Sequence, residues 1–255
     1  MKTTHFFGII FLLLCSVISA QAQTQIITHR GYWDKLGSAQ NSLSSLDNAI
    51  KIGAYGSELD VWLTKDGVLV LNHDESFHGI VIQTATFDTL SALRLVNGEP
   101  IPTLQQCIDM AKKQNTTKLI IEIKPHATLE ANVRVANETV KLINKNGMAG
   151  RVDYISFSEQ VCKELIKLNP EHRVAYLNGE KPPKALKAEG YRGLDYAWKV
   201  LKEEHPEWIK EAKALGLTTN VWTVNNAEHM LYFISQDIDY ITTDNPQLLK
   251  GLLTK

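Results

Sequence analysis

Two hydrophobic patterns alternate along the chain from residue 25 to the C-terminus. Short apolar runs predict buried strands, and segments with an apolar residue at every third or fourth position predict amphipathic helices. The predicted strands cover residues 25–28, 56–63, 68–71, 118–124, 152–157, 173–177, 192–195, 218–224 and 240–243. The predicted helices cover residues 43–50, 104–111, 133–143, 159–168, 182–188, 206–215 and 227–235, with one more at the C-terminus. This alternation is typical of a parallel sheet with crossover helices.

One of the nine predicted strands does not fit the alternation. Residues 64–67 read Thr-Lys-Asp-Gly, and Asp-Gly tolerates the positive φ angles of a tight hairpin turn. Residues 68–71 are therefore expected to return antiparallel to the second strand, above the main sheet. The other strands form eight βα units, which predicts an α/β fold, a (β/α)8 TIM barrel with a hairpin and a small insertion after the second strand. The insertion, about 75–99, is irregular and is expected to shape the substrate pocket as a lid.

Residues 1–22 are interpreted as an export signal. A basic residue precedes an apolar run over 6–18 that is too short to span a bilayer. Small residues at both ends of the tripeptide Ala-Gln-Ala then predict cleavage near Gln23. A lipoprotein anchored at Cys15 is disfavoured, because the residue before it is a bulky leucine. The mature protein is expected to be periplasmic or extracellular, with no stable membrane span.

Composition narrows the class of protein. Of the 255 residues 44% are hydrophobic and 22% charged, which is ordinary for a globular protein, and residues 23–255 suit one barrel domain. The net charge of -1 gives no reason to expect nucleic acid as a partner. Beyond the signal, Cys107 and Cys162 fall in predicted helices, so two free thiols are favoured over one disulfide. The sequence leaves the oligomeric state open.

The second strand carries two acidic residues on a mostly apolar background. Successive side chains of a strand point to opposite faces, so Glu58 and Asp60 point to the same side, roughly 7 Å apart at about 3.3 Å per residue. Adjacent carboxylates repel each other, and a hard divalent cation such as Ca²⁺ or Mg²⁺ removes that repulsion. An edge strand with a solvated polar face is the alternative for this stretch taken alone.

Other strands also end in polar residues. His29 and Arg30 follow the first strand, and Glu122 and Lys124 lie at the end of the strand over 118–124. Antiparallel pairing of the hairpin sets His73 beside the carboxylates of the second strand. A barrel gathers the C-terminal ends of its strands around one mouth, so these side chains are expected to meet there.

The expected group of side chains suits phosphodiester cleavage. Three carboxylates can hold one divalent cation, which polarises a phosphoryl oxygen. Arg30 and Lys124 can bind the remaining phosphate oxygens, and two histidines can act as general base and general acid. Each residue also has a structural alternative. His29 and Arg30 could form a loop pair, Glu122 and Lys124 a solvated ion pair, and Trp222 part of the barrel core.

Nine short motifs run in one order along the mature chain. They are His29-Arg30-Gly31, Asn41-Ser42, Glu58-Leu59-Asp60-Val61, Thr64-Lys65-Asp66-Gly67, His73-Asp74, Ile101-Pro102-Thr103-Leu104, Glu122-Ile123-Lys124, Trp222-Thr223-Val224-Asn225 and Thr243-Asp244-Asn245-Pro246. Each motif alone is weakly specific, but the ordered set is highly specific. It resembles the glycerophosphodiester phosphodiesterases, a branch of the phosphatidylinositol-phospholipase-C-like barrel phosphodiesterases.

The resemblance implies an enzyme that cleaves small glycerophosphodiesters to glycerol 3-phosphate and an alcohol with one divalent cation, Ca²⁺ or Mg²⁺. In that family a glycerol hydroxyl is thought to attack the phosphorus first, and water then opens the cyclic intermediate. The implied roles are metal ligation by Glu58, Asp60 and Glu122, acid–base catalysis by His29 and His73, phosphate binding by Arg30 and Lys124, and contact with the glycerol moiety by Trp222.

One position departs from the family pattern. The family usually has Glu before the Asn that Asn41 matches, and this chain has Gln40. Glutamine keeps the shape and an acceptor oxygen but loses the charge. Gln40 and Asn41 are expected to play supporting roles rather than to bind the cation directly, and the Gln40 amide can still hydrogen-bond a neighbouring metal ligand or the phosphate. A catalytically silent member that binds a phosphorylated ligand or a surface partner is the alternative function.

Overall fold

The computed structural model describes residues 23–254, and a closed parallel barrel forms its centre. Its strands are β1 (Gln25–Thr28), β2 (Gly56–Leu63), β3 (Leu69–Leu71), β4 (Ser76–Phe77), β5 (Ile80–Val81), β6 (Lys118–Ile123), β7 (Val152–Ser156), β8 (Val174–Tyr176), β9 (Gly193–Ala197), β10 (Thr218–Trp222) and β11 (Tyr240–Thr243). All except β3, β4 and β5 belong to the barrel. It closes because β1 pairs in parallel with both β2 and β11. The predicted (β/α)8 fold is confirmed.

Helices follow each barrel strand. They are α1 (Leu43–Ile52), α2 (Phe87–Ser91), α3 (Leu104–Ala111), α4 (Leu129–Lys145), α5 (Glu159–Leu168), α6 (Pro183–Ala188), α7 (Trp208–Ala214), α8 (Ala227–Ser235) and α9 (Pro246–Leu253). Local sequence explains where several of them begin. Ser42 caps α1 by accepting a hydrogen bond from the backbone N–H of Ser45, and Thr103 and Gln106 form a reciprocal capping box at α3. The helix predicted from residue 206 begins only at Trp208, because a π-helical turn over Val200–Glu204 precedes it.

Alternation along the strands gives the barrel two faces. Outward side chains such as Leu59, Val61 and Ile121 pack against the helices in the main hydrophobic core. Inward side chains form a smaller apolar cluster that includes Ile120 and Ile155. The acidic residues Glu58, Asp60 and Glu122 occupy inward positions on the same strands, because they alternate with these outward side chains.

The hairpin and the insertion take the positions predicted for them. β3 pairs antiparallel with β2, and Val61 lies opposite Leu71. The insertion is more regular than its sequence suggests, since β4, β5 and α2 surround a small core of their own. That core packs Phe77 and Leu90 against Trp62 of the barrel strand.

The N-terminal end of the barrel is filled by a polar and aromatic network. Tyr55 stacks on Tyr240 with ring centroids 4.6 Å apart, and Arg173 donates a hydrogen bond of 3.0 Å to the Tyr55 hydroxyl. Asp153 lies 3.3 Å from the ammonium of Lys118. Only a small space of about 40 Å³ remains among these side chains.

Two further predictions concern covalent and membrane features. Cys107 and Cys162 are buried free thiols, as favoured from the sequence. No helix within residues 23–254 combines the length and apolar character that crossing a bilayer requires. The predicted signal peptide over 1–22 lies outside the described residues and stays a prediction.

Candidate active site

Residues from separate strands meet at the C-terminal mouth of the barrel. They line a cavity of about 130 Å³, whose wall includes His29, Arg30, Glu58, His73 and Glu122. The structure thus brings together residues that the sequence placed on four different segments. The position agrees with the rule that barrel chemistry lies at this face.

The loop after β1 has a backbone that only particular residues allow. Gly31 has φ +78°, and a Cβ atom there would lie 2.2 Å from the Ser45 hydroxyl oxygen, so glycine is required. Arg30 also has a positive φ of 55°. This conformation aims the backbone N–H of Arg30 at Glu58 Oε2, 2.6 Å away. The loop therefore orients a carboxylate of the neighbouring strand.

Three carboxylates converge beside this loop. Glu58 and Asp60 lie on the same face of β2, and Glu122 lies opposite Asp60 in the parallel register with β6. One oxygen atom from each lies within 4.8 Å of the others, and all three residues are buried. The strand register of the fold therefore brings the three carboxylates together, and we call them the three-carboxylate cluster.

Lys124 partly neutralises the cluster. Its ammonium lies 2.9 Å from Asp60 Oδ1 and 2.7 Å from Glu122 Oε1. Burial opposes its charge, but the two carboxylates outweigh burial and raise the pKa of Lys124 above the ordinary lysine value. Lys124 is thus a fixed cation at the edge of the cluster.

The carboxylates differ in how well their charge is stabilised. Burial, then the charges of Asp60 and Glu122, raise the pKa of Glu58 well above its ordinary value. Burial and Asp60 likewise raise the pKa of Glu122 to about 7. Burial works against the charge of Asp60 too, but Lys124 and Asn41 lower its pKa overall. The cluster is short of positive charge.

The residues fit a divalent cation. Among the described residues, buried Glu58 Oε1 finds no hydrogen-bond partner. It belongs to a set of carboxylate oxygens, the donor type that Ca²⁺ and Mg²⁺ prefer. An added double positive charge would remove the repulsion that raises the pKa of Glu58 and Glu122.

His29 is held by a hydrogen-bonded group that sequence reasoning did not assign. Its Nδ1 lies 2.9 Å from Asp244 Oδ1, which also accepts from the Trp33 indole at 3.0 Å. Asn225 donates to the other oxygen of Asp244 at 2.6 Å. Burial opposes the charge of Asp244, but these hydrogen bonds lower its pKa below the ordinary value. An ionised carboxylate can only accept, so His29 donates from Nδ1 and keeps Nε2 for proton transfer.

His73 lies at the end of the hairpin, as predicted. Its Nδ1 lies 2.7 Å from Asp74 Oδ1, and its side chain is 43% exposed. Burial and the charge of Lys124 lower the pKa of His73, although Asp60 and Asp74 partly oppose them. The neutral imidazole is therefore favoured at neutral pH.

Gln40 and Asn41 support different partners. Asn41 donates to Asp60 Oδ2 at 2.7 Å and accepts from the Asp60 backbone N–H at 3.0 Å, which fixes that carboxylate from two sides. Gln40 instead accepts a hydrogen bond of 2.8 Å from Arg30 Nη1. The glutamine therefore orients the guanidinium that faces the cavity.

Trp222 could be part of the barrel core or a substrate contact according to the sequence, and its position is compatible with both. It packs edge-to-face on Phe157, with centroids 5.6 Å apart, and it also lines the cavity. Its indole N–H donates to the backbone carbonyl of Asp195 at 2.9 Å. Asp195 lines the same cavity and was not predicted from the sequence, because nothing near it in the chain marks it as functional. Asp244, in contrast, belongs to the motif Thr243-Asp244-Asn245-Pro246, but the sequence did not indicate its role.

A larger groove lies beside the cavity. We call it the outer groove; it measures about 750 Å³ between residues 33–40 of the β1–α1 loop and residues 77–78 and 94–96 of the insertion. Gln40 and Asn72 line it on the side of the catalytic mouth. Leu36 and Val96 also line it, and both are almost fully exposed, at 108% and 98% of the reference area. The insertion thus forms one wall of the outer groove.

Comparison with known proteins identifies relatives over nearly the whole described chain. The sequence model of the Glycerophosphoryl diester phosphodiesterase family matches residues 29–248. A glycerophosphodiester phosphodiesterase of Caldanaerobacter subterraneus subsp. tengcongensis is 28% identical over 249 residues, covering 91% of this chain and 99% of the relative.

Solved structures agree with that assignment. A glycerophosphodiester phosphodiesterase from Parabacteroides distasonis is 48% identical with a TM-score of 0.90, and the match covers 92% of this chain and 98% of the other. A phosphodiesterase from Oleispira antarctica, solved with its product sn-glycerol-3-phosphate, shares the fold at 22% identity and a TM-score of 0.79, covering 91% of this chain and 98% of the other.

Proposed function

The chain belongs to the glycerophosphoryl diester phosphodiesterase family, and from that premise we propose that it is an exported, metal-dependent enzyme that hydrolyses glycerophosphodiesters to glycerol 3-phosphate and an alcohol. The observation that carries the proposal is the convergence at one mouth of three buried carboxylates, two histidines and two cationic side chains. The curated and solved relatives named glycerophosphodiester phosphodiesterases support the substrate class.

The carboxylate cluster is the proposed metal site. Glu58, Asp60 and Glu122 would hold one Ca²⁺ or Mg²⁺, because all three offer hard oxygen ligands and Glu58 has an oxygen without a partner among the described residues. When bound, the cation supplies positive charge that polarises the phosphoryl group.

Arg30 and Lys124 are the proposed phosphate ligands. Arg30 Nε lies 3.6 Å from Asp60 Oδ2 and has no hydrogen-bond partner within the described chain, so it is free to donate to a phosphate oxygen. Lys124 stands between two carboxylates, those of Asp60 and Glu122. Together they place the phosphorus beside the carboxylate cluster, and Gln40 fixes the orientation of the guanidinium.

The two histidines are the proposed acid–base pair. A glycerol hydroxyl attacks the phosphorus, one imidazole accepts the hydroxyl proton, and the other gives a proton to the departing alcohol oxygen. Water then opens the cyclic phosphodiester with the roles reversed, which restores both imidazoles. Asp244 and Asp74 each hold a Nδ1 atom, and this leaves Nε2 of each ring for proton transfer.

Two further parts of the proposal extend beyond the site. The outer groove would receive the alcohol moiety, since it is wide and borders the mouth. Export is proposed from the sequence over 1–22, and mass spectrometry of the protein from a periplasmic fraction should give an N-terminus near residue 23. A silent binding protein is the alternative, favoured only by Gln40.

The decisive assay is release of glycerol 3-phosphate from a panel of glycerophosphodiesters, with chelator and after titration with Ca²⁺ or Mg²⁺. We expect release with metal and its loss in chelator. Replacing Glu58, Asp60 or Glu122 with Ala should lower metal affinity and rate together. Full activity in chelator with all three acids removed would overturn the site assignment, and inertness at saturating metal would favour the silent alternative.

A further inference from the structure

The floor of the small cavity contains a buried acid that the proposed reaction does not use. We propose that the carboxyl group of Asp195 recognises the glycerol moiety by hydrogen-bonding its non-attacking hydroxyl. Asp195 thereby determines specificity for glycerol over analogues that lack this hydroxyl. The inference rests on the proposed function, because it assigns a role within that substrate.

Asp195 occupies an inward position near the middle of β9. It lies opposite Asn220 in the parallel register with β10, two residues before the end of its own strand. It is 2% exposed and lies between the cavity at the mouth and the small space at the N-terminal end of the barrel, and it lines both. Its Oδ1 atom finds no hydrogen-bond partner among residues 23–254. A buried carboxyl oxygen without a partner calls for an explanation, and a ligand hydroxyl that enters the cavity would supply its missing hydrogen bond.

A neighbouring acid shows how this barrel treats a structural carboxylate. Asp153 lies toward the N-terminal end and is paired with Lys118 at 3.3 Å and with Arg173 at 3.6 Å. Asp195 has no such cation in the described chain, and burial raises its pKa to about 7, with partial relief from a hydrogen bond to Asn220. Buried acids without a cation are costly and are retained where they bind or react.

The surroundings of Asp195 suit a small polyol. Thr242 also lines the cavity, and its hydroxyl exchanges hydrogen bonds with Asn220 at 2.8 and 3.3 Å, so the floor is polar. Leu177 and Trp222 form apolar walls above it. A polyol presents hydroxyls to a polar floor and C–H groups to aromatic and aliphatic walls.

Size separates the two halves of the substrate. The cavity of about 130 Å³ is much smaller than the outer groove of about 750 Å³. Pockets for larger ligands measure about 300–1,000 Å³, so the cavity admits only a small moiety. The constant glycerol half therefore occupies the cavity with Asp195, and the variable alcohol faces the groove.

The hydroxyl in question can be identified from the reaction. One glycerol hydroxyl, adjacent to the phosphoester, attacks the phosphorus and lies beside the histidines. The terminal hydroxyl takes no part in bond making and is left to face the floor. A site built to bind a hydroxyl rejects an analogue that lacks it, because a buried polar group then stays unpaired.

The test compares two substrates that differ only at that hydroxyl. Glycerophosphocholine carries both hydroxyls, and 2-hydroxypropyl phosphocholine keeps the attacking one but lacks the terminal one. We expect the natural protein to prefer the first in kcat/KM by about 10–100-fold, the range for a lost buried hydrogen bond. Asp195→Leu should bring that ratio close to one by slowing the first substrate. Asp195→Asn keeps the shape and one acceptor, and it should give an intermediate ratio.

Asp153→Asn is the matched control, an inward barrel acid at the other end. It is expected to lower thermal stability, because Lys118 and Arg173 lose their partner, but to leave the substrate ratio unchanged. If Asp195→Leu does not fold, Asp195→Asn decides alone. An unchanged ratio in the Asp195 variants, or equal slowing of both substrates, would overturn the inference.

A binding measurement separates this inference from the proposed function. Isothermal titration calorimetry in the presence of Ca²⁺ or Mg²⁺ compares the affinity for glycerol 3-phosphate with the affinity for 2-hydroxypropyl phosphate. This measurement needs no turnover. An inert protein that still prefers glycerol 3-phosphate through Asp195 would reject the catalytic proposal and keep the inference. An active protein without this preference would reject the inference alone.

Discussion

At the scale of single residues, the carboxylates at the mouth of the barrel destabilise the fold. Glu58 and Glu122 are buried close to Asp60, and both have raised pKa values because burial and mutual repulsion oppose their charges. Lys124 offsets only part of this repulsion. A cation added to the cluster completes the neutralisation, so metal binding and folding stability should be linked.

Glu58→Gln tests that linkage. In chelator at pH 7.5 we expect the variant to melt at a higher temperature than the natural protein, because a neutral amide avoids the repulsion that raises the pKa of Glu58. Added Ca²⁺ or Mg²⁺ should raise the melting temperature of the natural protein and have little effect on the variant. Glu211→Gln, on the exposed face of α7, is the control and should keep the metal response. A variant with the full metal response would contradict the proposed ligand.

The two histidines should fail together. His29→Ala and His73→Ala should each remove most of the activity, and the double variant should be little worse than either, since groups that act as a unit are not additive. Because burial and Lys124 lower the pKa of His73, its neutral form persists at lower pH. The acidic limb of the kcat/KM profile is therefore expected below the ordinary histidine value of about 6.5. A flat profile from pH 5 to 9 would count against paired acid–base catalysis.

The sequence predicted a supporting role for Gln40, toward either a metal ligand or the phosphate, and its observed contact indicates which quantity should be measured. It accepts from Arg30, a proposed phosphate ligand. We expect Gln40→Glu to alter KM and rate by no more than about 10–100-fold, the usual effect of a supporting partner. The metal titration midpoint should move less than KM. A natural protein that is inert at saturating metal, but active as Gln40→Glu, would establish the silent alternative.

At the scale of elements, periodicity predicted the barrel strands well because each is a short, mostly buried apolar run set between amphipathic helices. The hairpin followed from Asp66-Gly67, and its register correctly placed His73 near the carboxylates. The order within the insertion could not be predicted, since β4 and β5 are only two residues each and depend on packing against Trp62. Asp195 escaped prediction for a similar reason, because its role depends on a cavity formed by distant strands.

The insertion should control the choice of alcohol. Shortening residues 75–99 is expected to change head-group preference while the barrel still unfolds cooperatively, at a lower temperature because Trp62 loses its cover. The paired change Leu36→Ser and Val96→Ser is milder, since both side chains are exposed. This double variant should reduce kcat/KM for the glycerophosphodiester with a hexyl alcohol group by about 3–10-fold relative to glycerophosphocholine. A change of that size is expected when a few methylene contacts are lost. Failure of the shortened chain to fold would show that the insertion belongs to the core.

At the scale of the whole molecule, the sequence predicted the barrel and the meeting of His29, Glu58 and Glu122 at its mouth, because the fold brings strand ends together whatever their separation in the chain. It could not predict which acid holds which histidine. The pairing of His29 with Asp244 spans 215 residues and exists only because β1 and β11 are neighbours in the closed sheet. Barrel closure is thus what completes the site.

The filled lower end of the barrel has a kinetic consequence. Tyr240, Arg173 and Asp153 leave about 40 Å³ there, so both products are expected to leave through the mouth by which the substrate entered. In the proposed mechanism the alcohol departs when the cyclic phosphodiester forms, and glycerol 3-phosphate is produced only after water opens that intermediate, so release is expected to be sequential with the alcohol first. Glycerol 3-phosphate should therefore inhibit competitively against substrate, whereas choline should inhibit noncompetitively and weakly. Initial-rate measurements with each product added would reveal the order of release. If choline were the competitive inhibitor and glycerol 3-phosphate were not, the expected order would be contradicted.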